Sequence, residues 1–266
     1  MMGYTVFQWM TFFYIYSFFG WIWESCYVSA KHGKWVNRGF LKGPMLPIYG
    51  SGAVMMLVVS FPFRGNYVLT YISGVIGATA LEYVTGWVME KLFKVRYWDY
   101  SNMKIQLHGY ICLASSLTWG VFTLIMTDII HPEISRLVDT ILSEELDAII
   151  VIIITVIFVY DTVVSAKAAL DMSKALEAME KLRSDMESMQ VQIALLKKET
   201  ADYMNTKKEQ LRELEYKRNQ LASHKNDVIG KITGMQKGLL MRNPSVRAER
   251  FEKSLKELKE KYIKQD

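Results

Sequence analysis

Cysteine is nearly absent from this chain of 266 residues: Cys26 and Cys112 are the only two. Both fall inside apolar runs and they form no closely spaced pair, so neither a disulfide framework nor a metal site is expected. Proline is scarce as well, with none between Ala166 and Asn243, and the first glycine of that stretch is Gly230. Without helix breakers, residues 166–229 are expected to form a single helix of about 64 residues, roughly 95 Å at 1.5 Å each. No GxxxxGK[ST] phosphate loop is present, which excludes ATP hydrolysis by that route, and neither H-E-x-x-H nor G-x-S-x-G occurs. No cofactor is expected, and any process driven by ATP would need a separate ATPase subunit.

Charge is thin where apolar residues are dense. Residues 1–165 balance at −1 and residues 166–266 at +6, giving the +5 of the whole chain. The basic excess lies in the tail, where Lys and Glu interleave as on a solvated helix face, and no aromatic-basic module accompanies it; no nucleic-acid partner is expected. Before residue 166, five stretches are long and apolar enough to cross a lipid bilayer: Tyr4–Ala30, Met45–Phe63, Tyr67–Phe93, Leu107–Ile130 and Leu146–Ser165. The first has no basic n-region before it and no small-residue cleavage site after it, so it reads as a retained span. Lys31, Lys34, Arg38 and Lys42 follow the first span, and Lys91, Lys94, Arg96 and Lys104 follow the third, whereas the second and fourth linkers carry little positive charge. The positive-inside rule then gives a multi-pass protein with its N-terminus outside and its tail in the cytoplasm.

The tail carries two heptad series. Met179, Met186, Ile193, Leu214, Leu221, Val228 and Met235 form one, and Ala175, Leu182, Met189, Leu196 and Tyr203 the other, which predicts a coiled coil suited to pairing with a second copy. Asn243-Pro244 resets the chain, and Phe251, Leu255, Leu258 and Tyr262 describe a short closing helix. The expected fold is therefore all-α: a transmembrane bundle over 1–165, a long cytoplasmic helix over 166–243 and a terminal helix over 244–266.

Within the third span, Gly74, Ala78, Glu82, Gly86 and Glu90 recur every four residues and share one helix face. An ionised carboxylate at the centre of a span costs roughly 2.5–3.5 kcal/mol on insertion scales, so Glu82 is expected to face protein or water. The small residues around it mark a helix interface. Glu24 and Glu90 approach the same inner half of the bilayer, where Arg38 and Arg96 can pair with them, and Asp99 follows in Arg96–Ser101 (RYWDYS), where Asp99 and Ser101 can cap a re-entrant segment. Helix-orienting ion pairs that touch no ligand are the plain alternative. Between the first two spans, Gly43, Pro44, Pro47 and Gly50 break the helix and can offer backbone groups to a substrate or ion; an ordinary loop before a Pro-initiated helix fits equally. His108 reads as a hydrogen-bonding residue and not a metal ligand. Asp161 lies near enough to a span end to be solvated.

These motifs together resemble the membrane family named Putative ABC-transporter type IV, or CmpB-like, common in Gram-positive bacteria. The resemblance runs through Gly20–Glu24 (GWIWE), Asn37–Gly52 (NRGFLKGPMLPIYGSG), Glu82–Phe93 (EYVTGWVMEKLF), Trp98–Ser101 (WDYS) and Gly109–Leu113 (GYICL), covering about residues 10–125. It implies a membrane component of a transport system in the bacterial cytoplasmic membrane and identifies no substrate. Three readings are open: a permease-like protein with a polar site of Glu24, Arg38, Glu82, Glu90, Arg96 and Asp99; an intramembrane enzyme acting on a lipid or lipid-linked substrate, with a glutamate as general base and Arg38 or Arg96 holding a phosphate; and a scaffold acting through its tail.

Overall fold

The structure, a computed structural model, describes residues 3–198 and 204–263. Helix α1 (Val6–His32) opens on a capping box between Thr5 and Gln8 and closes at Gly33, whose φ of 68° suits glycine. Residues 34–46 then run without regular structure. Pro47 occupies the first turn of α2 (Pro47–Ser60), where its missing N–H has no partner to lose, and a 3-10 turn (Phe61–Phe63) follows. Helix α3 (Tyr67–Phe93) coincides with the third expected span and is capped by the Asn66 side chain on the Leu69 N–H.

The fourth expected span begins later and ends later than its hydropathy suggested. His108 and Gly109, both at positive φ, turn the chain into a hairpin of β1 (Gln106–Leu107) and β2 (Ile111–Cys112). Only then does α4 (Leu113–Ile125) start, and it continues through a π-turn (Met126–Ile130) into α5 (His131–Ile141). Pro132 explains the widened turn: it lacks an N–H and its ring crowds the carbonyl one turn back, and the His131 N–H accordingly reaches Met126 O.

Among the described residues, three helical stretches are long and apolar enough to cross a membrane: Tyr67–Phe93, Leu113–Ile141 and Glu144–Leu196; Pro47–Phe63 is a shorter apolar helix. The exposed faces of α6 (Glu144–Lys198) carry Ile149, Ile152, Ile153, Val156, Ile157 and Val163. So continuous an apolar surface belongs in lipid. Helix α1 turns its polar groups inward: Tyr14 and Tyr16 bond Thr155 and His131, and the Thr11 hydroxyl donates to Asp147.

The tail departs from the single rod expected of it. Helix α6 passes residues 165 and 166 without a break, but α7 (Met204–Gly230) packs back along it, and α8 (Gly234–Arg242) and α9 (Glu252–Tyr262) follow. Each heptad series finds its cover within the chain: Met179, Leu182 and Ile193 are buried, and Val228 packs against the same core. Antiparallel return covers both stripes in part, and Met186, Met189, Leu214 and Leu221 are half-buried. Tyr203, the last of its series, lies outside the described residues. The closing helix folds onto its own chain, with Phe251, Leu255 and Leu258 against Met172, Leu176 and Met179. That core also takes in Phe93, Val95 and Tyr97, so the tail is packed onto the end of α3.

Lys259 fastens this end of the tail by donating to Pro244 O at 2.7 Å and to Val246 O. Burial, helped by the like charge of Arg247, lowers its pKa to about 8. Below that value both folded and unfolded chains carry the proton and the folded state bears the full desolvation penalty. Between about pH 8 and about pH 10.4 the unfolded chain binds more protons, so stability from this group rises with pH. The melting temperature of wild type relative to Lys259→Met is expected to increase from about pH 7 to about pH 9.5. A difference constant over that interval would contradict this account.

Candidate functional site

Of the stripe expected on α3, Gly74, Ala78, Glu82 and Gly86 are buried and Glu90 is half-buried; Thr70 and Phe93 are buried as well. A Cβ on Gly74 would collide with Thr123 of α4, and one on Gly86 would stand 3.1 Å from Tyr110 and 3.2 Å from Trp98. The missing side chains let α4 and the loop 94–112 close over α3, and Glu82 is enclosed between them at 6% exposure. It lies eleven residues before Phe93, about 16 Å along the helix.

Three neutral groups meet the Glu82 carboxylate. Trp119 Nε1 donates to Oε2 at 2.8 Å and Tyr100 OH to Oε1 at 3.1 Å, while Ser115 Oγ lies 3.4 Å from Oε2 and shares its one proton with Cys112 O at 2.9 Å. Ser115 and Trp119 are one helical turn apart on α4, whereas Tyr100 is carried in by the loop. No ion pair reaches Glu82 among the described residues. The pocket can therefore stabilise an anion by hydrogen bonds while leaving its charge uncompensated, a setting suited to a proton or a cation.

Glu90 differs in having its cation. Its Oε2 accepts from Arg96 Nε at 2.7 Å and from Tyr110 OH at 2.7 Å. Arg96 Nη1 lies 2.8 Å from Glu249 and 3.8 Å from Asp99, which Arg247 also contacts at 3.0 Å. Burial opposes the charge on Arg96, but the hydrogen bond and charge of Glu90, with Glu249, raise its pKa above the ordinary value. Burial would also raise Asp99, yet the Ser101 hydroxyl and N–H, and then Arg247, hold it below the usual carboxylate range. Tyr110 is pushed up to about 12 by burial and by Glu90.

Glu24 makes the other pair. Arg38 Nε approaches Glu24 Oε1 at 3.4 Å and Tyr49 OH donates to Oε2 at 2.7 Å. The same guanidinium donates to Asn243 Oδ1 at 2.9 Å and to Tyr97 O at 3.4 Å. Next to it, the irregular segment 34–46 has partners for several of its N–H groups. Gly43 N–H donates to Asp161 at 2.7 Å, Lys42 N–H to the same carboxylate at 3.2 Å, and Leu46 N–H to Ser17 O at 3.0 Å. Asp161 is thus a ligand for this backbone, not the solvated residue its position suggested. Pro44 and Pro47 offer no N–H, and Gly50 allows α2 to touch Phe13 and Ser17 of α1.

The six expected residues accordingly form three stations. Arg38 joins Glu24, Arg96 joins Glu90 and Asp99, and Glu82 stands deeper with neutral partners. The segment 96–100 ties them together, since Arg96, Tyr97 O and Tyr100 each serve a different one. His108 bonds Tyr83 through Nδ1 at 3.0 Å. Sequence reasoning missed Tyr100, Ser115 and Trp119, although the i, i+4 spacing of the last two on an apolar helix was a usable signal. It also missed Asn243, Arg247 and Glu249, whose approach from the tail no local pattern announces.

No curated protein and no solved structure matches the chain. The sequence model of the family described as Putative ABC-transporter type IV matches residues 11–166, the part that holds all three stations apart from their contacts with the tail. That match covers more than half of the chain, and the chain belongs to this family.

Proposed function

We propose that this protein is the permease-like membrane component of a transport system, with Glu82 as the group that takes up a proton or the cationic part of a substrate. The observation that carries this reading is the Glu82 carboxylate: buried at mid-span, met by three neutral groups and without a counter-cation among the described residues. A lone buried carboxylate is costly, and a bound proton or cation removes that cost. In this reading the chain crosses the bilayer five times with its N-terminus outside, and Glu24–Arg38 and Glu90–Arg96 line the cytoplasmic approach to Glu82. Gly43, Pro44, Pro47 and Gly50 shape that approach by keeping residues before α2 out of a regular helix. Energy comes from an ion gradient or a partner ATPase, because the chain has no phosphate loop of its own.

Reconstitution in vesicles with an internal pH indicator and imposed H⁺, Na⁺ or K⁺ gradients tests the assignment. Wild type is expected to carry a proton or cation flux that Glu82→Gln loses while keeping its fold. Flux that persists in Glu82→Gln, or wild type that responds to none of the gradients, rules out Glu82 as the coupling group.

A further inference from the structure

Glu249 is the exception in the Arg96 cluster. The side chains of Arg96, Glu90 and Asp99 are 12%, 23% and 11% exposed, whereas Glu249 is 70% exposed. It reaches Arg96 from the tail across an open cavity of about 500 Å³. Tyr83, Trp87 and Tyr110 supply aromatic walls to that cavity, and Gln106 and His108 of the hairpin add polar groups. Lys91 lies over the ring of Trp87, 4.7 Å from its centre. The rest of the tail is held nearby by a backbone bridge, with Arg96 N–H to Arg247 O at 2.6 Å and Arg247 N–H to Arg96 O at 2.9 Å, and by Asn243 on Arg38 and on Gly39 O. A covered guanidinium facing a cavity, with one exposed carboxylate of the same chain laid on it, has the geometry of an anion site filled by an internal stand-in.

We propose that this cavity binds a phosphate oxyanion, which replaces the Glu249 carboxylate on Arg96 and loosens the strap 243–251. The planar N–H fork of arginine fits phosphate as it fits carboxylate. An exposed ion pair is a weak competitor, so removing Glu249 tightens binding only about two- to fivefold. Trp87, exposed on the outer flank of α3, puts the cavity within reach of a phospholipid headgroup as well as of free phosphate. The inference rests on reading the inner polar face as ligand-bearing, and it does not depend on Glu82.

Hydrogen exchange of the strap, the Arg247 N–H above all, tests it on the full chain in micelles of a maltoside detergent, which carries no phosphate. The arms are no addition, inorganic phosphate, and mixed micelles containing phosphatidylglycerol. Faster strap exchange is expected with one of the two phosphate sources, and the responding arm identifies the source. Glu249→Gln, a change at an exposed position, is expected to exchange faster without ligand and to bind the responding probe about two- to fivefold more tightly. Arg96→Lys keeps the charge without the fork and is expected to weaken binding. The proposal is overturned if neither source moves the strap in wild type and Glu249→Gln, or if Arg96→Lys binds as well as wild type. A strap response that survives in a Glu82→Gln protein lacking flux separates this site from the coupling group.

Discussion

Glu82→Ala is expected to lower the unfolding free energy of the detergent-solubilised protein by about 3 kcal/mol, against less than about 1 kcal/mol for Glu82→Gln. Alanine leaves Trp119 Nε1 and Tyr100 OH pointing at an empty volume, and each orphaned donor costs about 1–3 kcal/mol. Ser115 escapes the penalty because its hydroxyl already has Cys112 O at 2.9 Å. Loss of the carboxylate's own desolvation offsets part of the sum, which keeps the total near the lower end. Glutamine preserves an acceptor for Trp119, and its amide can donate to the Tyr100 oxygen. Thermal or denaturant unfolding of the two variants decides the matter, and equal costs for alanine and glutamine would show that the donors do not depend on Glu82. The contrast also isolates function, since a folded Glu82→Gln protein without flux has lost chemistry and not structure.

Arg96→Ala is expected to cost about 2–3 kcal/mol and to free the tail. Removing one partner of a buried pair typically costs about 3–5 kcal/mol, reduced here because Glu90 keeps some solvent and Tyr110. Three carboxylates, Glu90, Asp99 and Glu249, lose their shared cation at once. Asp99 retains Arg247, while Glu249 retains nothing on the membrane side among the described residues. Proteolytic nicking within residues 243–251 should therefore accelerate together with a lower melting temperature. Wild-type melting with wild-type protease resistance would refute the view that Arg96 joins tail to bundle.

Much of the site was legible because it follows helix periodicity. Glu82 and its small neighbours share a face by four-residue spacing, and α3 is bounded where its apolar run is bounded. The pairing of Glu24 with Arg38 and of Glu90 with Arg96 follows from opposite charges placed at one end of two apolar stretches. What escaped is set by tertiary contact. Tyr100 enters the bundle because the 106–112 hairpin delays α4, and the turn that delays it rests on His108 and Gly109 at positive φ. Hydropathy alone drew that stretch into the span. The heptads marked apolar stripes along the tail, but a stripe does not say whether its cover is a second chain or the returning one. Asp161 looked solvated by position and is instead held by two backbone N–H groups from a distant linker.

Helix α6 is unbroken from its lipid-facing half into the tail, and the core of α8 and α9 grips it around Ala169–Met179. Such a grip acts as a fulcrum. From Ala169 to Leu196 the rod extends about 40 Å, so a tilt of about 10° within the bilayer sweeps its far end through about 7 Å. A displacement too small to notice beside Glu82 becomes, at that distance, a movement on the scale of a side chain's full length.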